Sequence, residues 1–177
     1  MLLATLVLPL WLAAASGLNP FDDPHARAVV LLFTRTDCPI SNRYAPEIKR
    51  VAEAYSSQGV KFYLVYPDRD ETPGGIDQHR AEYGYTMPAI QDPEHAWVSR
   101  AHATITPEAA VFVPVAGKPG WRLVYHGRID DRYVDFGKSR PFPKVHDLQN
   151  AIDAALAGHT VTPAETKAIG CFIADLR

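Results

Sequence analysis

Cys38 is the residue of this sequence whose local setting most favours chemistry. It follows an apolar run and a short polar segment, Thr34-Arg35-Thr36-Asp37, and Pro39 comes directly after it. Proline is favoured at the first position of a helix, so Cys38 is predicted to lie at a helix N-terminus. Unpaired backbone N–H groups and the positive end of the helix dipole stabilise a thiolate there. Because the thiolate is the nucleophilic form of cysteine, the sequence predicts a reactive thiol at Cys38.

Two neighbours of Cys38 are expected to act on its pKa in opposite directions. Ser41 lies about one helical turn further on, where its hydroxyl would donate a hydrogen bond to the sulfur and lower the pKa. Asp37 adds a neighbouring negative charge, which disfavours the thiolate and raises the pKa. The sequence therefore leaves the net shift open, but it makes Ser41 a candidate site residue.

Cys171 is the second of only two cysteines and lies in the segment Gly170-Cys171-Phe172-Ile173. A lone nucleophilic cysteine that attacks a disulfide stays trapped as a mixed disulfide unless a second thiol resolves it. We therefore expect Cys171 to resolve Cys38, with Gly170 allowing a close backbone approach. Two other interpretations stay open: a permanent bridge that stabilises the fold, and a buried small apolar side chain beside Ile169.

The elements that must position Cys38 follow from the hydrophobic pattern. A continuous apolar run at Ala28–Phe33 predicts a buried strand, and an apolar stripe after Pro39 predicts a helix that is closed by Gly59. A second strand at Val60–Tyr66 makes a parallel crossover. The other predicted helices lie at about 76–83, 93–103 and 145–157, and the second of these is opened by Asp92 with Pro93 in its first position. Further strands are predicted at 88–91, 109–114 and 121–126, of which the last two form an antiparallel hairpin. Residues 130–144 are predicted to be irregular. This order predicts an α/β fold in which a mixed sheet carries helices on both faces.

The segment from Phe33 to Pro46 resembles the active-site segment of thioredoxins without a gap. Cys38 falls on the first cysteine of that family's C-x-x-C motif, Ser41 on the second, and Pro46 on the proline that kinks the helix. Farther along, Ile105-Thr106-Pro107 resembles the family's cis-proline element, which packs beside the cysteine and offers backbone to an extended thiol substrate. The resemblance covers about residues 27–157, and it implies a thioredoxin-like sheet with flanking helices and a substrate-contacting Pro107.

Two departures from the thioredoxin pattern bear on mechanism. The motif has become Cys38-Pro39-Ile40-Ser41, which lacks a resolving cysteine, and Leu32 stands where thioredoxins carry a buried acid. The similarity is greatest to the redoxin or peroxiredoxin-like branch, although the P-x-x-x-T-x-x-C motif of the peroxidases is not matched. A thiol peroxidase stays an alternative, because an exposed thiolate of low pKa reacts with peroxide. A second alternative is a non-enzymatic module that binds thiols or copper in the cleft beside Cys38.

The first fifteen residues, MLLATLVLPLWLAAA, carry no charge and are followed by small residues. The run is shorter than the about 20 apolar residues of a membrane-spanning helix. It is typical of a secretory signal, although no Lys or Arg precedes Arg27. We predict a signal peptide at 1–16, a thioredoxin-like domain at 17–158 and an extended tail with the second cysteine at 159–177. Export to the periplasm or the medium would allow a disulfide to persist.

Charge and histidine spacing restrict the partners. The formal net charge is -2, and no basic run or stripe indicates a nucleic-acid partner. His95 and His102 are seven residues apart, without the close spacing of a metal-ligand motif, so we expect no metal and no cofactor. The charged cluster Arg128–Arg132 is expected to form solvated ion pairs or, alternatively, to line the cleft beside Pro107.

These observations together predict an exported thiol–disulfide oxidoreductase of thioredoxin type. Its partners would be protein or small-molecule thiols and disulfides, with no stable membrane insertion after signal cleavage. Turnover with a dithiol reductant would favour this enzyme, and stoichiometric metal retention would favour the copper carrier. The predicted site consists of Cys38 as nucleophile, Ser41 as its hydrogen-bond donor, Pro107 as a substrate contact and Cys171 as the resolving cysteine.

Overall fold

The computed structural model describes residues 18–174 and 176, so the predicted signal peptide at 1–16 lies outside the described residues. Within this range no helix has the length and apolar character needed to cross a membrane. The elements, in chain order, are β1 (Ala28–Phe33), α1 (Pro39–Ser56), β2 (Val60–Tyr66), α2 (Pro73–Tyr83), β3 (Ala89–Gln91), α3 (Ala96–Ala101), β4 (Ile105–Thr106), β5 (Glu108–Pro114), β6 (Trp121–Gly127), β7 (Tyr133–Asp135), β8 (Lys138–Ser139), α4 (Asp147–Leu156) and β9 (Cys171–Phe172).

A five-stranded mixed sheet forms the centre of the molecule, in the order β3-β2-β1-β5-β6. β1 pairs parallel to β2, and β2 pairs parallel to β3. β5 runs antiparallel to β1 and to β6. All six residues of β1 are buried, which explains why this strand reads as an unbroken apolar run.

Two apolar layers cover the two faces of the sheet. Along β1, Val30 and Leu32 belong to the cluster that contains the buried stripe of α1 and the inner face of α4. Val29, Leu31 and Phe33 point to the other face, where α3 packs. This alternation is the period of two expected of a strand that is covered on both sides. The predicted mixed α/β sheet with helices on both faces is confirmed.

The third helix starts later than predicted. α3 covers only Ala96–Ala101, whereas the sequence predicted a start at Pro93. The carboxylate of the buried Asp92 accepts the N–H groups of Trp97 and Val98, both at 2.9 Å. His95, which lies between Asp92 and Trp97 in the sequence, has a left-handed φ of 58°, and the interior of an α-helix does not accommodate this conformation. Asp92 therefore caps the helix from outside its first turn, and Pro93 lies in the preceding loop.

The segment predicted to be irregular contains a short hairpin, β7–β8, and two buried acids. Asp130 accepts a hydrogen bond from the Tyr44 hydroxyl at 2.5 Å. Asp131 accepts the backbone N–H groups of Lys144 at 2.6 Å and Val145 at 3.0 Å. The expectation that this cluster forms solvated ion pairs is wrong for these acids, because both are buried. Asp130 ties the loop to α1, and Asp131 pairs with Arg140 at 3.2 Å within the loop.

We predict that Ile152→Ala destabilises the protein through the packing of α4 on the sheet. Ile152 is fully buried in the core, so truncation should lower the free energy of unfolding by about 2–5 kcal/mol. Urea denaturation followed by circular dichroism would measure the change. The matched control is Glu53→Ala on the exposed face of α1, for which we expect a change within about 0.5 kcal/mol. Equal stability of the two variants would contradict this account of the core.

Candidate active site

Cys38 lies at the junction between the sheet and α1. It is the N-cap residue of the helix, with extended backbone angles (φ −83°, ψ 109°), and Pro39 occupies the first helical position. Its carbonyl accepts the first helical hydrogen bond, from the N–H of Asn42 at 3.0 Å. The side chain is only 1% exposed. The structure thus places Cys38 at the predicted helix N-terminus, but it buries the sulfur, in contrast to the exposed thiolate that the peroxidase alternative assumes.

A polar network holds the loop that carries Cys38. The N–H of Thr36 donates to the Glu71 carboxylate at 2.6 Å, and its carbonyl accepts the Asn42 side-chain amide at 3.0 Å. The amide oxygen of Asn42 lies 2.9 Å from His79 Nε2, and Nδ1 of the same ring lies 2.8 Å from the Tyr66 hydroxyl. Burial lowers the pKa of His79. The sequence pattern contained no signal for this network, because its members come from five separate elements and loops.

The loop before β5 forms the other wall of the site. The Thr106–Pro107 peptide bond is cis, and the carbonyl oxygen of Thr106 lies 3.3 Å from Cys38 Sγ. The buried Glu108 carboxylate accepts the N–H groups of Thr104 at 2.9 Å and Ile105 at 3.2 Å. Sequence reasoning missed Glu108, because a strand-start acid gives no signal of which backbone groups it bonds.

The C-terminal tail crosses the site and brings the second cysteine to the first. β9 pairs antiparallel with β4, so that Cys171 lies opposite Thr106 and Phe172 opposite Ile105. Cys171 Sγ lies 2.6 Å from Cys38 Sγ. A disulfide bond measures about 2.03–2.05 Å, so a small displacement of either side chain would bring the sulfurs to bonding distance. The two cysteines, 133 residues apart, therefore share one site.

Contacts on both sides of Cys171 hold the tail in place. Upstream, the His126 N–H donates to Ala164 at 3.0 Å, and the Thr166 N–H donates to the His126 carbonyl at 3.1 Å. Downstream, the Ile173 N–H donates to the Thr104 carbonyl at 3.0 Å, and the Ile173 side chain is buried in the apolar layer beside α3. The segment between these anchors borders an open cleft of about 630 Å³.

Gly170 lets the tail approach the Thr106 backbone. A Cβ atom at this position would overlap the carbonyl oxygen and carbon of Thr106 and would also meet the Ile105 side chain. The expectation that Gly170 permits a close backbone approach thus agrees with the structure. The Thr106 carbonyl also contacts Cys38 Sγ, so the absence of a side chain at Gly170 lets the tail bring Cys171 close to that sulfur.

The two thiols differ in acidity. Burial by itself raises the pKa of Cys38, but hydrogen bonds from Cys171 and Ser41 outweigh it, and the pKa lies below its usual value. Burial and the adjacent Cys38 raise the pKa of Cys171 to about 12. Cys38 is therefore the thiol that ionises first.

Ser41 is the fourth predicted site residue, and it lies one turn into α1. Its side chain is fully buried, and within the described chain its hydroxyl makes no hydrogen bond of good geometry. The Ser41 hydroxyl and N–H lie close enough to the Cys38 sulfur to lower the pKa of that thiol. Asp37, expected to act against the thiolate, points outward and pairs with Arg35 at 3.2 Å.

One group of metal-ligand type occurs among residues 18–174. Glu47, Asp130 and His146 place three ligand atoms within 4.8 Å of one another. Arg50 already donates to both carboxylate oxygens of Glu47, at 2.6 and 2.9 Å. We therefore assign no metal function to this group, and neither cysteine belongs to it.

Comparison with known proteins gives a family and a fold. Residues 18–116, more than half of the chain, match the AhpC/TSA family. No curated protein matches the chain.

Three solved structures illustrate the structural similarity. A hypothetical protein from Sinorhizobium meliloti is 25% identical with a TM-score of 0.69, covering 84% of this chain and 80% of that one. A thioredoxin-like protein solved in its oxidized form is 18% identical with a TM-score of 0.53, covering 76% and 80%. A proposed thiol:disulfide interchange protein DsbE from Chlorobium tepidum is 17% identical with a TM-score of 0.52, covering 75% and 82%. The fold of this chain is thioredoxin-like, as its resemblance implied.

We predict that Ser41→Ala moves the titration of Cys38 to higher pH. Loss of one hydrogen bond to a charged group, worth about 1.5 kcal/mol, reduces the thiolate population at a fixed pH below the midpoint about tenfold. The ultraviolet absorbance of the thiolate would measure it in a Cys171→Ala background, where Cys38 is the only thiol. Ser56→Ala, at the exposed end of the same helix, is the matched control. An unchanged midpoint in the Ser41 variant would show that the hydroxyl does not contact the thiolate.

Proposed function

The chain belongs to the AhpC/TSA family, and from this premise we propose that it is a thiol–disulfide oxidoreductase with Cys38 as nucleophile and Cys171 as resolving cysteine. The observation that carries the proposal is the 2.6 Å contact between the two sulfurs. The motif around Cys38 has Ser41 in place of a second cysteine, and the tail supplies the missing thiol at the same sulfur.

The reaction in the reducing direction has two exchange steps. The Cys38 thiolate attacks one sulfur of a substrate disulfide, forming a mixed disulfide, and the other substrate sulfur leaves as a thiolate that takes up a proton from water. The Cys171 thiol then gives up its proton to the departing substrate sulfur and attacks Cys38 Sγ. The products are a Cys38–Cys171 disulfide and two substrate thiols. The same steps in reverse would oxidise a substrate dithiol, and an external dithiol reductant would return the protein to its reduced form.

The difference in acidity supports this division of roles. Cys38 has the lowered pKa and starts the reaction as the thiolate. Cys171 has a raised pKa and is held as the protonated donor until Cys38 is consumed. Burial is the largest cause of the raised pKa of Cys171, and the neighbouring Cys38 adds to it. Once the Cys38 sulfur is part of a mixed disulfide it carries no charge, so this second contribution disappears. Cys171 then becomes a better nucleophile at the moment when resolution requires it.

The substrates we propose are protein or small-molecule thiols and disulfides outside the cytoplasm. The structural likeness to a proposed thiol:disulfide interchange protein supports this class of substrate. Export through the segment at 1–16 would place the two cysteines in a compartment where disulfides persist. The segment around Cys38 does not match the P-x-x-x-T-x-x-C motif of the peroxidases, which supports exchange over peroxide reduction.

The adjacent thiols also support a second function, a carrier of a soft metal ion such as Cu(I). Thiolates are the ligands that Cu(I) prefers, and the tail brings two of them together. Equilibrium dialysis of the reduced protein against Cu(I) separates the two functions: retention of one ion without turnover would favour the carrier.

We predict that Cys171→Ser traps the mixed disulfide. Without a resolving thiol, the Cys38 adduct with a disulfide substrate should accumulate, whereas the wild-type protein should pass on to an internal disulfide. Intact-mass analysis after reaction with glutathione disulfide would measure the two products.

Cys38→Ser is the paired control, and it should form neither product if Cys38 starts the reaction. Equal adduct levels in the wild-type protein and the Cys171 variant would show that Cys171 does not resolve Cys38. An adduct at Cys171 of the Cys38 variant would reverse the proposed roles.

A further inference from the structure

We propose that the backbone edge of β4 recognises an extended polypeptide substrate in which glycine precedes the reacting cysteine and an aliphatic residue follows two positions after it. The proposal rests on the thiol–disulfide function argued above, and it deepens that function by naming the substrate. The C-terminal tail, which pairs with β4, occupies the position that we assign to the substrate.

The pairing of β9 with β4 shows how such a segment binds. Thr106 lies opposite Cys171 and Ile105 opposite Phe172, and the N–H of Ile173 donates to the carbonyl of Thr104. Antiparallel backbone pairing is independent of side chains, so another extended segment in the same register would place its own cysteine against Cys38.

The edge of β4 accommodates only one strand at a time. With the tail docked, Cys38 is 1% exposed, so a substrate sulfur reaches it only after residues of the tail have left. The hydrogen bonds between His126 and residues 164–166 lie upstream of β9 and need not break. We therefore infer that the part of the tail from Lys167 onward is displaced, beside the open cleft that it borders. To resolve the adduct, the tail must in turn displace the substrate backbone from β4 while the disulfide to Cys38 is still intact.

Three tail positions define the substrate preference. At the position before the cysteine, a Cβ would overlap the Thr106 carbonyl, which selects glycine. At the position after it, Phe172 is 77% exposed, so many side chains should be accepted. At the next position, Ile173 is 4% exposed in an apolar layer, which selects an aliphatic side chain. The sequence that this edge should prefer is Gly-Cys-any residue-aliphatic.

Peptides with the tail sequence Ile-Gly-Cys-Phe-Ile test this preference on the full chain that carries Cys171→Ser. Each peptide is supplied as its mixed disulfide with glutathione. The Cys38 thiolate attacks the peptide sulfur, the bond between peptide and glutathione breaks, and glutathione leaves as the thiolate and takes up a proton. Mass analysis follows the peptide–Cys38 adduct over time. Peptides with Ala before the cysteine, or Asp in the last position, are the comparison.

We expect the glycine peptide to form its adduct at least about tenfold faster than either substituted peptide, which corresponds to about 1.4 kcal/mol. Reaction of the three peptides with a small dithiol in the absence of the protein corrects for intrinsic reactivity. Equal rates on the protein, or a Cys38–Cys38 dimer as the main product, would overturn the proposed recognition. If Cys38 reacts with none of the peptides nor with glutathione disulfide, the oxidoreductase function itself fails.

A second variant tests the glycine contact within the protein. Gly170→Ala should force the tail off β4 and raise the alkylation rate of Cys38 by a small iodoacetamide reagent at least about tenfold. Peptide mapping by mass spectrometry assigns the alkylated site. Gly74→Ala is the matched control, because a Cβ there meets no atom within 4 Å, and it should leave the rate unchanged. An unchanged rate in the Gly170 variant would overturn the inference that this contact excludes larger residues.

Discussion

The short antiparallel pair between β4 and β9 is the interaction on which the rest of the site depends. It consists of two residues on each strand, yet it places Cys171 against Cys38 and covers the sulfur from solvent. The difference in acidity between the thiols follows from this contact, because each sulfur is part of the other's environment. Glu108 bonds the backbone of the segment that leads into β4, and glycine at position 170 leaves room for β9 to lie against Thr106.

The tail is held by interactions that are sufficient for docking but small enough to be reversed. Burial of the Ile173 side chain is worth about 1.5–3 kcal/mol, and each backbone hydrogen bond contributes about 1 kcal/mol net. Ordering the chain between the two anchors opposes these gains. A segment in this balance opens locally without unfolding the domain, which is the behaviour that ligand-binding segments generally need. The five-stranded sheet stays intact when the tail opens, because β9 pairs with β4 and with no strand of that sheet.

Much of the fold and the position of both cysteines could be predicted from the sequence. The bounds of β1 and β2 coincide with the predicted strands. β1 is an apolar run buried along its whole length, and β2 is buried except at Lys61 and the half-buried Tyr63. Cys38 before a proline, and Cys171 after a glycine, gave local signals for a helix N-terminus and a close approach. The burial of Asp130 could not be predicted, because its partner Tyr44 is far away in the sequence. The same holds for Thr36, whose N–H bonds to Glu71 in another loop.

The central claim is that Cys38 and Cys171 form a reversible redox pair, and peptide mapping of the oxidised protein tests it most directly. The protein, mildly oxidised and then digested without reduction, is predicted to yield one cross-linked peptide that joins Cys38 to Cys171. Treatment with a dithiol should separate this peptide into two fragments. In the intact protein, loss of the disulfide and recovery of the ability to reduce a disulfide substrate should occur in parallel. Two free thiols after mild oxidation, each alkylated in full, would contradict the account.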